Sequence, residues 1–176
     1  MGKDTVANER QVALFELGGE TYGLDIGTVH EIIRMQPITR VPKAPFYVEG
    51  VINLRGKVIP VVDMRKRFGL ETSERTKNNR IVVVAISGTT TGIIVDAVTE
   101  VLRIPNASVE PASSIVTAGE TDYLQGIAKL GDRMVILLDL GKVLTKDGMF
   151  TEIADSPRKA DKHMPELTLA SGSSVS

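Results

Sequence analysis

Residues able to do chemistry are few in this 176-residue chain, and their spacing argues against catalysis. There are two histidines, His30 and His163, and no cysteine. Nucleophilic catalysis needs a nucleophile, a base and a group that orients the base, and the base is usually histidine. His30 stands alone between Val29 and Glu31, and His163 falls in a polar stretch, so both read as surface histidines. Without cysteine there is no thiolate metal site, iron–sulfur cluster, disulfide or thiol chemistry. Asp63 and Asp139 could be proposed as the paired carboxylates of a glycoside hydrolase. Each, however, ends an apolar run and opens a short helical stretch, which is the place of an N-cap. Asp25 and Asp96 read as local turn or cap residues. Ser87-Gly-Thr-Thr-Thr-Gly92 lacks the Gly-Lys-Ser/Thr ending of a phosphate loop and reads as a hairpin turn. The expectation is no catalytic site, no metal and no cofactor.

Two residues resist so plain a reading. Glu31 recurs as Glu100 in a repeated pattern. Arg55 has no such counterpart: it stands at a tight turn where the repeat has Gly131. It is either a solvent-exposed turn residue or an anchor for a partner, since the planar donors of Arg suit carboxylates at protein interfaces.

The elements that must position these residues come in two copies. Gly23-Leu-Asp-Ile-Gly-Thr-Val29-His-Glu31-Ile-Ile-Arg34 returns as Gly92-Ile-Ile-Val-Asp-Ala-Val98-Thr-Glu100-Val-Leu-Arg103, 69 positions on (98 − 29). Gly50-Val-Ile-Asn-Leu54 through Asp63-Met64 returns as Gly126-Ile-Ala-Lys-Leu130 through Asp139-Leu140, 76 positions on (139 − 63). The unequal offsets place a seven-residue insertion (76 − 69) within 105–122. Within the first copy, residues 11–17 and 20–26 around Gly18-Gly19 predict a hairpin, and 48–62 predict a second one turning near Arg55-Gly56. Asp63 to Gly69 predicts a short capped helix. Residues 29–35 fit either a strand or a turn of helix, because the apolar spacing suits one and the β-branched content the other. Many short strands with Gly and Pro turns point to two small barrels, since closing a sheet removes its edges. The expected division is a tail over 1–9, a first barrel over 10–79, a second over 80–148 and a disordered polar tail over 149–176.

Composition narrows the class of function further. Twenty-one basic and 22 acidic residues leave a net charge of −1, so no global field draws in nucleic acid or anionic lipid. The basic clusters Arg65-Lys66-Arg67 and Arg75 to Arg80 are offset by Glu71 and Glu74 and read as a solvated face. Aromatic residues are 4%, too few to build stacking platforms for bases. The N-terminal residues carry no apolar core of signal-peptide type and no apolar run approaches ~20 residues, so a cytoplasmic protein without direct membrane contact is expected.

Taken together, Glu20 to Ile26, Arg40-Val-Pro-Lys-Ala-Pro45, Gly50-Val-Ile-Asn-Leu-Arg-Gly56, Ile59-Pro-Val-Val-Asp-Met-Arg65, Arg80 to Val84, Gly92 to Arg103, Tyr123 to Leu130 and Asp132 to Asp139 resemble the CheW family of bacterial chemotaxis coupling proteins. The resemblance covers about residues 11–148. It implies a mainly β fold of two intertwined SH3-like five-stranded barrels with a few short helices, and neither enzymatic activity nor a cofactor. It also implies an adaptor that joins the cytoplasmic tips of methyl-accepting chemoreceptors to the regulatory domain of the CheA histidine kinase, peripheral to the membrane through receptor arrays. That regulatory domain itself resembles CheW, so barrel ends on the two proteins can meet pseudo-symmetrically. Carried over position by position, the receptor-binding groove between the barrels is implied to involve Val29, Glu31, Gly50, Arg55, Gly92, Val98 and Val101. The resemblance assigns no kinase-facing residues here.

Overall fold

The computed structural model describes residues 8–111 and 123–145. The N-terminal tail up to residue 7, most of the expected insertion, His163 and the C-terminal tail lie outside the described residues. Among the described residues four hairpins follow one another with crossovers: β1 (Glu9–Leu17) with β2 (Glu20–Asp25), β4 (Val48–Leu54) with β5 (Lys57–Asp63), β6 (Arg80–Ile86) with β7 (Thr89–Val95), and β10 (Leu124–Leu130) with β11 (Arg133–Leu138). Between them run β3 (Val29–Arg34), β8 (Ala97–Pro105) and the short β9 (Val109–Pro111). Short helices Met64–Arg67 and Leu140–Thr145 follow β5 and β11.

Each hairpin turn is two residues long, and Gly18-Gly19, Arg55-Gly56 and Ser87-Gly88 all take positive φ at both positions. That backbone matches the right-handed twist of the flanking strands. The Ser87-Gly88 turn is shorter than expected: Thr89 to Thr91 belong to β7 rather than to the loop. The ambiguous segment after Val29 is strand. Its helix-like spacing comes from a bulge, for Val29 pairs with Val84 and Glu31 with Val83, leaving His30 as the extra, exposed residue. The same bulge recurs at Thr99, since Phe15 pairs with Val98 and Leu14 with Glu100.

The strands form two sheets, of order β8-β1-β2-β11-β10-β9 and β3-β6-β7-β5-β4. Neither follows the expected units 10–79 and 80–148. The third strand of each copy leaves its own hairpin and pairs with that of the other copy, so β3 lies beside β6 and β8 beside β1. One sheet therefore spans 29–95, while the other joins 9–25 to 97–138. The first of these has five strands and the second six, because β9 forms a short ladder on β10. Its counterpart in the five-stranded sheet is reduced to the single bridge Thr39–Val51.

Three cores result. Val12, Leu14, Ile104, Ala128, Val135 and Leu137 fill the six-stranded sheet, and Ile52, Ile59, Val61, Ile81, Val83 and Ile94 fill the five-stranded one. The third and largest lies between the sheets, drawing Phe15 and Leu17 from β1, Val82, Val84 and Ile86 from β6, and Met64, Leu140 and Leu144 from the helical turns. Strand β6 thus buries alternate residues in two different cores, which is why Ile81 to Ile86 is continuously apolar.

Both expected caps are present. Asp63 accepts from the backbone N–H groups of Arg65 and Lys66, and Asp139 accepts from that of Lys142. Asp63 is also buried and paired with Arg75 at 3.2 Å. Asp96 does more than a local turn residue. Its carboxylate takes two hydrogen bonds from Arg65, at 2.9 and 2.8 Å, and a third from the Gly18 N–H at 2.9 Å. This one carboxylate ties the β1–β2 turn of one sheet to the helix after β5 and to the β7–β8 crossover of the other. By the offsets of the duplication, Arg65 corresponds to Gly141 (65 + 76) and Asp96 to Gly27 (96 − 69), so the clamp exists at one crossover and not at its twin.

Burial pushes the Asp96 pKa up, but the Arg65 hydrogen bond, the Gly18 N–H and the charges of Arg65 and Arg75 outweigh it and hold the group below its ordinary value. A depressed carboxylate pKa stabilises the fold above the unfolded-state pKa of about 3.9, and that stabilisation fades as pH falls through the lower folded value. Asp96→Asn is therefore expected to lower stability at neutral pH by about 1 kcal/mol, discounted for partial exposure. In urea titrations at several pH values the gap between the two proteins should close below about pH 4. A gap that stays constant with pH would show that the charge pair is not its source.

Candidate partner-binding surface

Five of the seven groove positions fall on the five-stranded sheet. Glu31, Gly92 and Gly50 share one register line across it, Glu31–Val83–Gly92–Val61–Gly50, so each strand contributes one residue to the row. Arg55, at the tip of the β4–β5 hairpin, reaches back to the Glu31 carboxylate as an ion pair. The two charges border a depression of about 270 Å³ floored by Ile59 and Val83 and walled by His30, Leu54 and Lys57. Val29, on the far side of the His30 bulge, packs partly buried against the central core. Val98 does the same from the other sheet, and Val101, three residues along β8, is exposed.

Arg55 holds φ of +51°, a left-handed conformation that costs a residue with a Cβ about 1–2 kcal/mol. The equivalent Gly131 adopts φ of +63° with no such penalty. A strained residue where glycine would serve is the kind of local cost found at functional sites. Here the observed return is an exposed guanidinium placed on Glu31.

The two glycines of the set have a different explanation. Both are buried. A Cβ on Gly50, whose φ is +146°, would stand 2.0 Å from the Thr39 carbonyl oxygen. One on Gly126, its repeat, would stand 2.7 Å from the Glu110 carbonyl. Both Gly50 and Gly126 let a second backbone segment cross the bulged start of a hairpin. Gly92 faces Ile81, whose Cγ2 would lie 2.8 Å from an added Cβ. Glycine at these positions is thus required by close packing. Of the seven positions, Gly50 and Gly92 are buried, Val29, Glu31 and Val98 are half-buried, and Arg55 and Val101 are exposed.

Sequence reading passed over one surface feature. Four of the exposed large apolar side chains are two pairs related by the duplication: Ile32 with Val101 (101 − 32 = 69) and Val58 with Met134 (134 − 58 = 76). Val101 and Met134 directly follow Glu100 and Arg133, which are ion-paired at 3.3 Å, and alternation along each strand turns the apolar side chain to the face opposite its charged neighbour. Ile32 and Val58 likewise directly follow Glu31 and Lys57, which line the depression on the five-stranded sheet. Each sheet therefore exposes two large apolar side chains at equivalent positions of the duplication. The offsets 69 and 76 were available in the sequence, but an apolar residue in an alternating strand reads first as core.

Among the described residues no three His, Cys, Asp or Glu side chains are grouped as a metal site would need, and no helix is long and apolar enough to cross a membrane. Asp63 and Asp139 each cap their own helix.

Comparison with known proteins agrees with this architecture. A family model described as the CheW-like domain matches residues 11–148. The chain is 36% identical over 146 residues to the chemotaxis protein CheW of Klebsiella aerogenes, covering 83% of this chain and 87% of that one. It is 33% identical over 138 residues to CheW of Rhizobium meliloti, covering 78% and 89%. Among solved structures, the scaffolding protein TtCheW of Thermoanaerobacter tengcongensis superposes with a TM-score of 0.73 at 44% identity, covering 79% of this chain and 94% of that one.

Proposed function

The chain belongs to the CheW family, and from that membership we propose that it is a non-enzymatic coupling protein that binds the cytoplasmic tips of chemoreceptors and the regulatory domain of a CheA-type histidine kinase at once. Holding both raises their effective concentrations and biases the kinase between its active and inactive arrangements. Its place is the cytoplasm, at the membrane only through the receptors.

The observation that carries the kinase half of this reading is the duplicated apolar pair. A kinase domain that resembles the CheW fold offers barrel ends of its own, and exposed apolar side chains at equivalent places on the two proteins can cover one another. With one such end on each barrel, the chain can make two heterologous contacts, and contacts of that type close into rings when the rotation allows. We assign Ile32 and Val58 to one kinase-facing end and Val101 and Met134 to the other. For the receptor half, Arg55 and Glu31 fix the register of a helical hairpin laid across the rim, as charged residues beside an apolar groove do. Gly50 and Gly92 shape that rim from beneath, and Val29 and Val98 support it from the core.

Val58→Glu and Met134→Glu test the kinase assignment. Both side chains are more than half exposed, so both variants should fold. Each should weaken titration into the kinase regulatory domain by about tenfold or more, roughly 1.4 kcal/mol. Two variants that bind as tightly as the parent would remove the barrel ends from the kinase interface.

A further inference from the structure

We infer that a cavity between the two sheets, at the crossover that lacks the Arg65–Asp96 clamp, takes an arginine side chain of a partner protein. The clamp joins three points: the β1–β2 turn at Gly18, Arg65 in the helix after β5, and Asp96 at the β7–β8 crossover. By the offsets of the duplication these points return as Ser87 (18 + 69), Gly141 (65 + 76) and Gly27 (96 − 69). Neither glycine has a side chain to close the gap. A cavity of about 310 Å³ opens there, lined by Ser87, by Gly141 and by Asp25 and Thr28 on either side of Gly27. That volume lies at the lower end of the ~300–1,000 Å³ typical of ligand sites.

The lining has the chemistry of a guanidinium site. Leu24, Ile86, Leu138 and Leu140 give it an apolar wall, and Asp25 and Asp139 are its charged residues. No basic side chain is among the lining residues, and neither carboxylate is ion-paired within the described residues. Each caps its own turn instead, Asp25 accepting from the Gly27 N–H at 2.8 Å and Asp139 from the Lys142 N–H at 3.3 Å. Asp63, the counterpart of Asp139, is by contrast paired with Arg75. The clamped crossover also shows how the fold holds an arginine at such a place: the Arg65 guanidinium gives two hydrogen bonds to Asp96 and one to the Glu71 carbonyl at 2.6 Å. A guanidinium lays its flat faces on apolar surface and directs its edge donors at carboxylates, which a lysine ammonium does not reproduce. A partner's arginine supplies from outside the cation that Arg65 supplies from within.

Chemical-shift titration of the ¹⁵N-labelled full chain with N-acetylarginine methylamide, a capped single residue, tests the assignment. Saturable shifts are expected at the amides of Asp25, Thr28, Ser87 and Gly141, with a Kd on the order of millimolar for so small a ligand. The lysine analogue should bind at least about tenfold more weakly. The arginine probe should weaken as much on the double variant Asp25→Asn, Asp139→Asn, whose amide oxygens can still accept the capping hydrogen bonds. Gly141→Arg supplies the side chain in cis. A Cβ there stands 3.3 Å from the Asp139 carboxylate and 3.6 Å from the Ile86 side chain, contacts that small side-chain shifts accommodate. This variant should lose the probe shifts and unfold at higher urea than the parent. Shifts that do not saturate, that the lysine analogue reproduces at equal strength, or that survive Gly141→Arg overturn the inference. Agmatine binding far more tightly than the capped residue overturns it in favour of a free small cation as the ligand.

Discussion

Arg55→Gly is expected to separate binding from folding. The substitution relieves the left-handed strain at φ of +51° and gives up an ion pair to Glu31 whose Arg side chain is 71% exposed. An exposed pair contributes about 0–1 kcal/mol, and the added freedom of glycine in the unfolded chain costs about 0.5–1 kcal/mol. These terms and the relieved strain nearly cancel, so urea unfolding should place the variant within about 1 kcal/mol of the parent. Receptor-tip affinity should instead fall by about 10- to 100-fold, because a charge-assisted contact at the groove margin is worth roughly 1.4–2.8 kcal/mol. A variant that binds receptor tips normally would return Arg55 to the status of a turn residue, and the strain it carries would have no explanation in binding.

Gly50→Ala should do the reverse. A methyl group placed 2.0 Å from the Thr39 carbonyl oxygen, on a backbone at φ of +146°, cannot be accommodated without moving the loop that crosses β4. The expected loss is on the order of 3–5 kcal/mol, the range associated with backbone clash and special dihedrals. Gly126→Ala meets the Glu110 carbonyl at a less severe 2.7 Å and should cost less. Urea midpoints of the two variants measure the difference. If Gly50→Ala proves as stable as the parent yet binds receptor poorly, Gly50 belongs to the contact surface itself.

This contrast between Arg55 and Gly50 shows how far the sequence could be read. Both stood in the groove set on the same ground, resemblance to a family at matching positions. Only three-dimensional neighbours distinguish a glycine kept for a crossing backbone from an arginine kept for its side chain. Hairpins and helix caps were legible because their signals are local: alternating apolar residues, two-residue turns, and aspartates at the ends of strands. The segment from Val29 was ambiguous because a bulge at His30 breaks the alternation, and no single strand announces its own bulge. The exchange of β3 and β8 between copies was not legible from patterning, since alternation fixes which face of a strand is buried but not which strand lies beside it. The Arg65–Asp96 clamp joins residues 31 positions apart through a crossover, and nothing in either local sequence names the other.

Under the proposed coupling role, the duplication accounts for how one small fold would serve two partners. Copying the unit duplicates its exposed apolar positions, Ile32 and Val58 returning as Val101 and Met134, while single substitutions make the copies unequal. Arg55 against Gly131, Asp96 against Gly27 and Phe46 against Asp122 are such differences. We assign the shared features to the barrel-end contacts with the kinase and the pair built on Arg55 to the receptor. Asymmetry, more than the fold, then separates the two kinds of binding.

The most direct test is calorimetric titration of the full chain into the isolated regulatory domain of a co-occurring CheA-type kinase, repeated with the protein already saturated by a receptor-tip fragment. Saturable binding is predicted in both titrations, with the kinase domain still bound when the receptor fragment is present. Binding to only one partner, or competition between them for the same surface, would contradict the claim that this chain couples the two.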